Sequence, residues 1–148
     1  MYFLIVGSGT EYFKVAAWFS ENNPSNARLY SFLPKQEYDR LVSSCDVGMI
    51  FLDKRFTIPN YPSRLLSYLE NRMPVIVASD ANTDIGRIAE ENGYGFWSVS
   101  GEIEAFDCNV KKVLNSKTVA EMGEKGRRFL EENYTVNKSY SIIIKSMS

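Results

Sequence analysis

Apolar positions in this chain fall into short unbroken runs and helical stripes that alternate almost strictly. Residues 2–6, YFLIV, are a continuous apolar run ending in Gly7-Ser8-Gly9. This predicts a buried strand that passes into a tight turn, with Thr10 capping the next helix. That helix carries Tyr12, Val15, Ala16 and Phe19 at i, i+3, i+4 and i+7, and Asn22-Asn23-Pro24 stops it. A second strand is predicted over residues 27–32. Leu33-Pro34 then leads into a helix with Tyr38, Leu41, Val42 and Cys45 on one face, which makes Cys45 a core residue. Residues 47–52 form the third predicted strand.

The stretch 59–77, PNYPSRLLSYLENRMPVIV, packs a loop, a helix and a strand into little length. The helix should begin near residues 61–63, because Pro62 brings a helix-compatible φ and lacks an N–H. Ser63 can cap that first turn with its hydroxyl. Leu65, Leu66, Leu69 and Met73 make the apolar stripe; Arg64, Ser67 and Asn71 lie opposite, with Glu70 nearby. Met73-Pro74 ends the helix, and Val75-Ile76-Val77 is a strand of the kind buried on both faces. A fourth helix from about Thr83 carries Ile85, Ile88 and Ala89 and closes at Asn92-Gly93. Gly95-Phe96-Trp97 is a last short strand. Three helical stripes follow: Ile103/Phe106/Val110/Val113, Val119/Met122/Phe129/Leu130 and Val136/Tyr140/Ile143/Met147. Within the last, Ile142-Ile143-Ile144 also fits a strand.

Strict β-α alternation predicts an α/β fold, a Rossmann-like parallel sheet with helices on both faces and a helical C-terminal tail. In such sheets ligands gather beyond the carboxyl ends of the strands. Five loops then share one rim: residues 7–10, 32–35, 53–63, 79–83 and 98–102. A loop that delivers free N–H groups, a serine hydroxyl and an arginine to one helix start suits an anion such as a diphosphate. An ordinary amphipathic helix with a solvated Arg64 fits the same residues.

Composition narrows the chemistry. The chain has 148 residues, one domain's length, and 45% apolar with 24% charged residues is the balance of a water-soluble globular protein. A net charge of −1 gives no overall field for nucleic acid or an anionic membrane, so any anion site must be local. With no histidine, the commonest general base and metal ligand is missing, and a Ser/His/Asp or Cys/His set is impossible. Cys45 and Cys108 form no CxxC pair. No run is long enough to span a membrane and no signal peptide is evident, which fits a cytoplasmic protein.

Among candidate residues, Gly7-Ser8-Gly9 supplies two of the three glycines of a dinucleotide fingerprint, but the third would fall at Tyr12. A tight turn is the better reading, and NAD is not expected. Lys54, Arg55 and Arg64 either converge on phosphate oxygens or belong to a solvated loop. Asp53, Asp80 and Asp84 sit at rim positions where a phosphoacceptor or magnesium site would need them, though nothing in their spacing enforces one. Tyr94 and Trp97 read as packing residues.

The order of these segments resembles the C-terminal, donor-binding lobe of GT-B glycosyltransferases, in particular the retaining family 4. Residues 3–11, FLIVGSGTE, look like that family's second strand and Gly-x-Gly turn. Residues 27–34, ARLYSFLP, with the helix to Asp46 and the strand VGMIFL after it, look like the units that follow. Residues 62–76, PSRLLSYLENRMPVI, are similar to the Pro-(Ser/Asn)-Lys … Gly-x-Pro-Val-Ile segment of the capsular and O-antigen polysaccharide branch.

The resemblance implies that Ser63, Arg64 and Gly9 meet the donor diphosphate and that the Phe32-Leu33 loop holds the nucleobase. Ser67 stands at the second glutamate of the family's Glu-x7-Glu motif, the ribose position, and Pro59 at the first; Glu70 is a candidate substitute. Arg72 stands where the family has glycine. Lys54 and Arg55 are placed near phosphate. It implies a UDP- or GDP-sugar as donor substrate, no further cofactor, no metal, and no nucleic acid. It also implies that an opening βα unit and the acceptor-binding N-terminal lobe lie outside this chain, so that the fragment alone does not turn over. In the full-length enzyme the protein would be cytoplasmic or peripheral at the inner membrane face, meeting the membrane through its acceptor. The competing reading is a non-catalytic α/β nucleotide- or phosphate-binding regulatory domain of receiver or flavodoxin type. The receiver version lacks clustered aspartates after the first strand, and the flavodoxin version lacks a Ser/Thr-rich phosphate loop there.

Overall fold

The computed structural model describes residues 1–55, 61–115 and 117–146. The chain divides into two compact units, Met1–Leu41 and Val42–Ser148. Correspondingly, the strands pair as two parallel sheets rather than a single one.

The first unit holds β1 (Phe3–Val6), α1 (Tyr12–Asn22), β2 (Ala27–Tyr30) and most of α2 (Lys35–Ser43). β1 and β2 pair in parallel, Phe3 opposite Ala27 and Val6 opposite Tyr30. α1 starts after Glu11, and no side chain caps it, so Thr10 does not take the expected role. It ends on Asn23 in the left-handed conformation, as the Asn-Asn-Pro signal predicts. The stripe Tyr12, Ala16 and Phe19 is only half-buried, and no residue from 1 to 41 is fully buried. Tyr2, Leu4, Ile5, Phe13 and Trp18 are exposed. In a two-stranded parallel sheet this follows from geometry, since a continuous apolar strand needs cover on both faces and along both edges.

The second unit contains β3 (Gly48–Phe51), α3 (Arg64–Glu70), β4 (Val75–Ser79), α4 (Ile85–Glu91) and β5 (Gly95–Val99). Three helices follow, α5 (Ile103–Asn115), α6 (Val119–Asn133) and α7 (Val136–Ser146). The sheet order is β3-β4-β5, all parallel, with Gly48, Val75 and Gly95 in register. β4 is central, and all five of its residues are buried, as a run apolar on both faces requires. Ile50, Val75 and Val77 on one sheet face meet Leu65, Leu69, Ile85, Ala89 and Tyr94 in the main core. Full burial of each such aliphatic side chain contributes about 2 kcal/mol, so this cluster outweighs any surface ion pair.

Glycines set how closely the helices approach. A Cβ on Gly48 would strike the Tyr68 ring of α3, and one on Gly86 would strike Trp97. α4 therefore covers the Gly95/Trp97 face of β5. The opposite face, carrying Phe96 and Ser98, is covered by α5, whose Lys112 ammonium lies over the Phe96 ring at 5.4 Å from its centroid. Asn109 of α5 is buried and donates to the Trp97 carbonyl at 2.7 Å. Helices thus lie on both faces of this sheet.

Three local expectations are corrected. α3 ends at Glu70, before Met73-Pro74, because Arg72 turns left-handed at φ 54°. Cys45 lies beyond α2, half-buried rather than in the core; burial, and then the Asp46 charge, push its thiol pKa up. Ile103 opens α5 but is exposed, since the buried positions of that helix are Asn109 and Val113. The Ile142-Ile143-Ile144 run is helical.

Candidate functional site

In the first unit, Gly9, Phe32 and Leu33 follow neighbouring strands at the same sheet edge, where the Gly7 amide bonds the Tyr30 carbonyl at 3.0 Å. The Gly9 carbonyl accepts from the Tyr12 amide at 3.0 Å and so opens α1. A Cβ at Gly7 or Gly9 would meet nothing within 4 Å, and neither residue has a left-handed φ. The described chain's own packing therefore does not demand glycine at either place. Phe32 is exposed and Leu33 half-buried.

In the second unit, the loops after β3, β4 and β5 share the rim where those strands end. Tyr68 of α3 sits over the start of β3, with its hydroxyl donating to the Met49 carbonyl at 3.4 Å. Ser63 precedes it by five residues, about 7.5 Å of helix. Because α3 runs back against β3 to reach the start of β4, the Ser63–Arg64 end lies at the rim. Both residues are exposed. Ser63 occupies the N-cap position but has helical backbone angles and makes no side-chain cap bond, contrary to expectation. The Leu65 and Leu66 amides turn back to the Pro62 and Ser63 carbonyls at 3.0 and 3.1 Å. Among the described residues no acceptor takes the Ser63 and Arg64 amides, and no carboxylate pairs with Arg64.

Further along α3, Ser67 and Glu70 lie one turn apart on the face opposite Leu65 and Leu69. Ser67 is half-buried, and its carbonyl accepts from the Asn71 side chain at 2.8 Å. Glu70 is exposed, and its carbonyl accepts from Arg127 at 3.3 Å. Pro59 lies outside the described residues.

The two other cations behave differently. Arg55 folds back on Asp53, giving side-chain bonds of 2.9 and 2.6 Å and a backbone bond of 2.9 Å. Those bonds, Arg55's side chain first, hold the exposed Asp53 carboxyl well below its usual range. Lys54 instead places its ammonium 3.8 Å from where a Cβ of Gly101 would stand, in the left-handed turn after β5. It therefore reaches from the loop after β3 to the loop after β5, across the end of β4.

At the end of β4 the polar groups satisfy one another. Asp80 accepts from the Asn82 and Thr83 amides at 2.8 and 2.9 Å and from the Thr83 hydroxyl. The Thr83 hydroxyl, then these amides, lower its pKa. Ser79 donates to the Asp80 carbonyl and accepts from the Trp97 indole at 2.9 Å. Asp80 is thus committed to its own turn, and among the described residues no cluster of three metal-ligating side chains occurs.

An aromatic cluster behind the Ser63 end was not singled out from the sequence. Tyr61 stacks on Tyr134 at 5.4 Å, Tyr134 meets Phe129, and Phe129 meets the fully buried Tyr94. Burial pushes both the Tyr61 and Tyr94 phenols well above their usual pKa. The cluster ties the residues just before α3 to the end of α6. Tyr134 stands four residues after Leu130, in step with that stripe but one position past the end of α6, so the stripe as read stopped short of it.

No family model matches the chain, and no curated protein matches it either. Among solved structures, sucrose-phosphate synthase from Thermosynechococcus elongatus aligns at a TM-score of 0.72 with 12% identity, over 97% of this chain and 38% of that one. The spinosyn forosaminyltransferase SpnP aligns at 0.61 with 13% identity, over 97% of this chain and 43% of its own. The chain therefore spans less than half the length of either neighbour. At such identities the likeness is one of fold. The fold is α/β, with parallel sheets flanked by helices and a helical C-terminal end, and its structural neighbours are GT-B glycosyltransferases.

Proposed function

We propose that this chain is the nucleotide-diphosphate-sugar binding lobe of a retaining glycosyltransferase of the family 4 type, serving cell-surface polysaccharide synthesis. The observation that carries the reading is the exposed Ser63–Arg64 end of α3 at the strand rim, with both amides unclaimed among the described residues. A diphosphate there would take those amides, the Ser63 hydroxyl and the Arg64 guanidinium, with Lys54 near enough to the rim to add a second positive charge. Within the second unit Ser67 or Glu70 would hold the ribose; for Gly9, Phe32 and Leu33 of the first unit, roles at the diphosphate and the base rest on the family resemblance alone. With Arg55 bound to Asp53, Arg55 contributes only by exchanging that partner.

No residue here is assigned to bond making. Leaving-group charge in this reading is stabilised by fixed cations and dipoles, without a divalent ion, and the acceptor comes from a second lobe. Two facts support a missing remainder: the share of each neighbour that the chain covers, and a first unit without one buried side chain.

Thermal shift and ligand-observed NMR with UDP, GDP, CMP, FMN and NAD test the reading. One nucleoside diphosphate should bind saturably, and Arg64→Ala should weaken it about tenfold, the effect of losing one charge-assisted hydrogen bond. Binding of FMN or NAD without any response to nucleoside diphosphates would instead establish a flavodoxin-like or regulatory domain.

A further inference from the structure

α3 and α6 run antiparallel in a constant register. Gly123 of α6 meets Arg72, in the turn after α3, and Gly126, three residues on, meets Leu69, three residues back. Eight residues further along, Tyr134 stacks on Tyr61, eight residues further back, at 5.4 Å between ring centroids and 25° between planes. α6 therefore splints α3 from the turn behind it to the residue before it. Tyr134 extends the helix by one position, its amide bonding the Leu130 carbonyl at 2.8 Å. Phe129 backs the stack at 5.8 Å from Tyr134 and joins it to the fully buried Tyr94 at 5.1 Å.

Little else holds the rim end of α3. Leu65 and Leu69 bury the body of the helix, but Ser63 and Arg64 are exposed, and Ser63 makes no side-chain cap bond. The Leu65 and Leu66 amides bond the Pro62 and Ser63 carbonyls, a turn that fixes its own shape and not its place. Pro62 is buried and Tyr61 half-buried, so this end rests on their side chains. The Tyr61 and Tyr94 hydroxyls are buried with no hydrogen-bond partner among the described residues, which leaves ring contact as the holding force. We propose that Tyr61 and Tyr134 are positioning residues, through which α6 sets where the Ser63 and Arg64 amides stand at the strand rim. A binding group works only within about 0.5 Å of its productive place, kept there by packed neighbours. What this does to nucleotide affinity rests on the function proposed for the chain; the placement itself does not.

Tyr134→Ala tests this, because Tyr134 is 39% exposed and its truncation opens no enclosed cavity. Amide NMR of the full chain without ligand should show the Ser63 and Arg64 signals moving or broadening, while those of Ile76 and Val77 in the central strand stay. The Kd for the nucleoside diphosphate that the parent binds, measured well below the melting temperature, should rise about fivefold, because the ligand must then order an end that the stack no longer holds. Tyr134→Phe and Tyr61→Phe keep the rings and should match the parent in both readouts; if they behave like Tyr134→Ala, the hydroxyls hold this end and the proposal falls. Ser63 and Arg64 signals that stay in place in Tyr134→Ala reduce the stack to packing and overturn it too, as does an unchanged affinity when they move. Should the parent bind no nucleoside diphosphate, the proposed function falls, and the amide signals alone decide this inference. Tyr134→Leu, which keeps bulk without a ring, gives the same comparison where the alanine variant melts too low.

Discussion

A side chain on Gly123 would run into the backbone carbonyl of Arg72, so α6 meets the turn after α3 with no space to spare. Arg72 is left-handed there, and its guanidinium bonds Glu124 of α6 at 2.8 Å. One helical turn on, a Cβ on Gly126 would lie 2.8 Å from the Leu69 side chain. Two glycines spaced i, i+3 thus bring α6 down onto the end of α3, the same helix whose other end forms the candidate site. Gly123→Ala forces α6 off a backbone atom that cannot rotate aside. Overpacking of that kind costs up to about 3 kcal/mol, and the better helix propensity of alanine returns about 1 kcal/mol. Urea denaturation should therefore show a net loss of about 2 kcal/mol; a gain would mean the contact yields.

Ser79 and Trp97 offer a second probe, this time of the strand rim. The indole N–H of Trp97 donates to the buried Ser79 hydroxyl, and Ser79→Ala leaves that donor without its acceptor. A loss of about 1–2 kcal/mol is expected. The protein has two tryptophans, and Trp18 is exposed, so the NMR spectrum holds two indole N–H signals with different protection. The protected one should move and begin to exchange. If both stay as they were, the Ser79 bond does not hold the indole.

Asp80 links the same rim to pH. Its carboxylate is stabilised by the Thr83 hydroxyl and by the Asn82 and Thr83 amides, so its native pKa lies below the unfolded value near about 3.9. With a depressed native pKa the unfolded chain binds the proton first. The contribution is whole above the unfolded pKa and is lost as pH falls through the native one. Urea midpoints measured from neutral pH down to the acid limit should drop for the parent protein in that window. Asp80→Asn, which has no charge to lose, should show a shallower fall. Parallel curves would assign the acid sensitivity to other carboxylates, Asp53 foremost.

How far the sequence foretold this structure depended on whether local pattern carried the relevant information. Val75-Ile76-Val77 announced the central strand because burial on both faces leaves no polar position. Leu65 and Leu69 announced the buried side of α3, although Leu66 of the same stripe is half-buried and Met73 falls beyond the helix; Asn92-Gly93 announced the end of α4, where Gly93 has φ 67°. Periodicity names a stripe but not its cover. Tyr12, Ala16 and Phe19 are half-covered in α1, and the equally regular stripe of α7 is bare. Ser63 has the composition of a cap, yet its backbone is already helical, which removes the geometry a cap bond requires. The candidate site divides the same way. That residues 53–55, 63–64 and 79–83 share a rim follows from β-α alternation. Lys54 reaching Gly101 does not, because it depends on β3 and β5 flanking β4, and strand order is written in no local repeat.

Hydrogen exchange should separate the two units sharply. In β1 the Phe3 and Gly7 amides bond carbonyls beside and within β2, so the alternating Leu4 and Val6 amides face the other edge, where no strand pairs among the described residues. The first unit has no buried side chain to make its opening costly, whereas β4 is bonded on both sides and wholly buried. Opening of β1 and β2 should therefore be a local event of low free energy, and exposure of Ile76 and Val77 should need global unfolding. Exchange followed by mass spectrometry should find residues 75–79 at least about a hundredfold slower than residues 3–6, a gap of about 2.7 kcal/mol in opening free energy. Limited proteolysis should cut within residues 1–41 before it touches β4. Equal protection in the two sheets would show that the first unit is held by something other than its own packing, and would remove one of the two supports for a missing remainder.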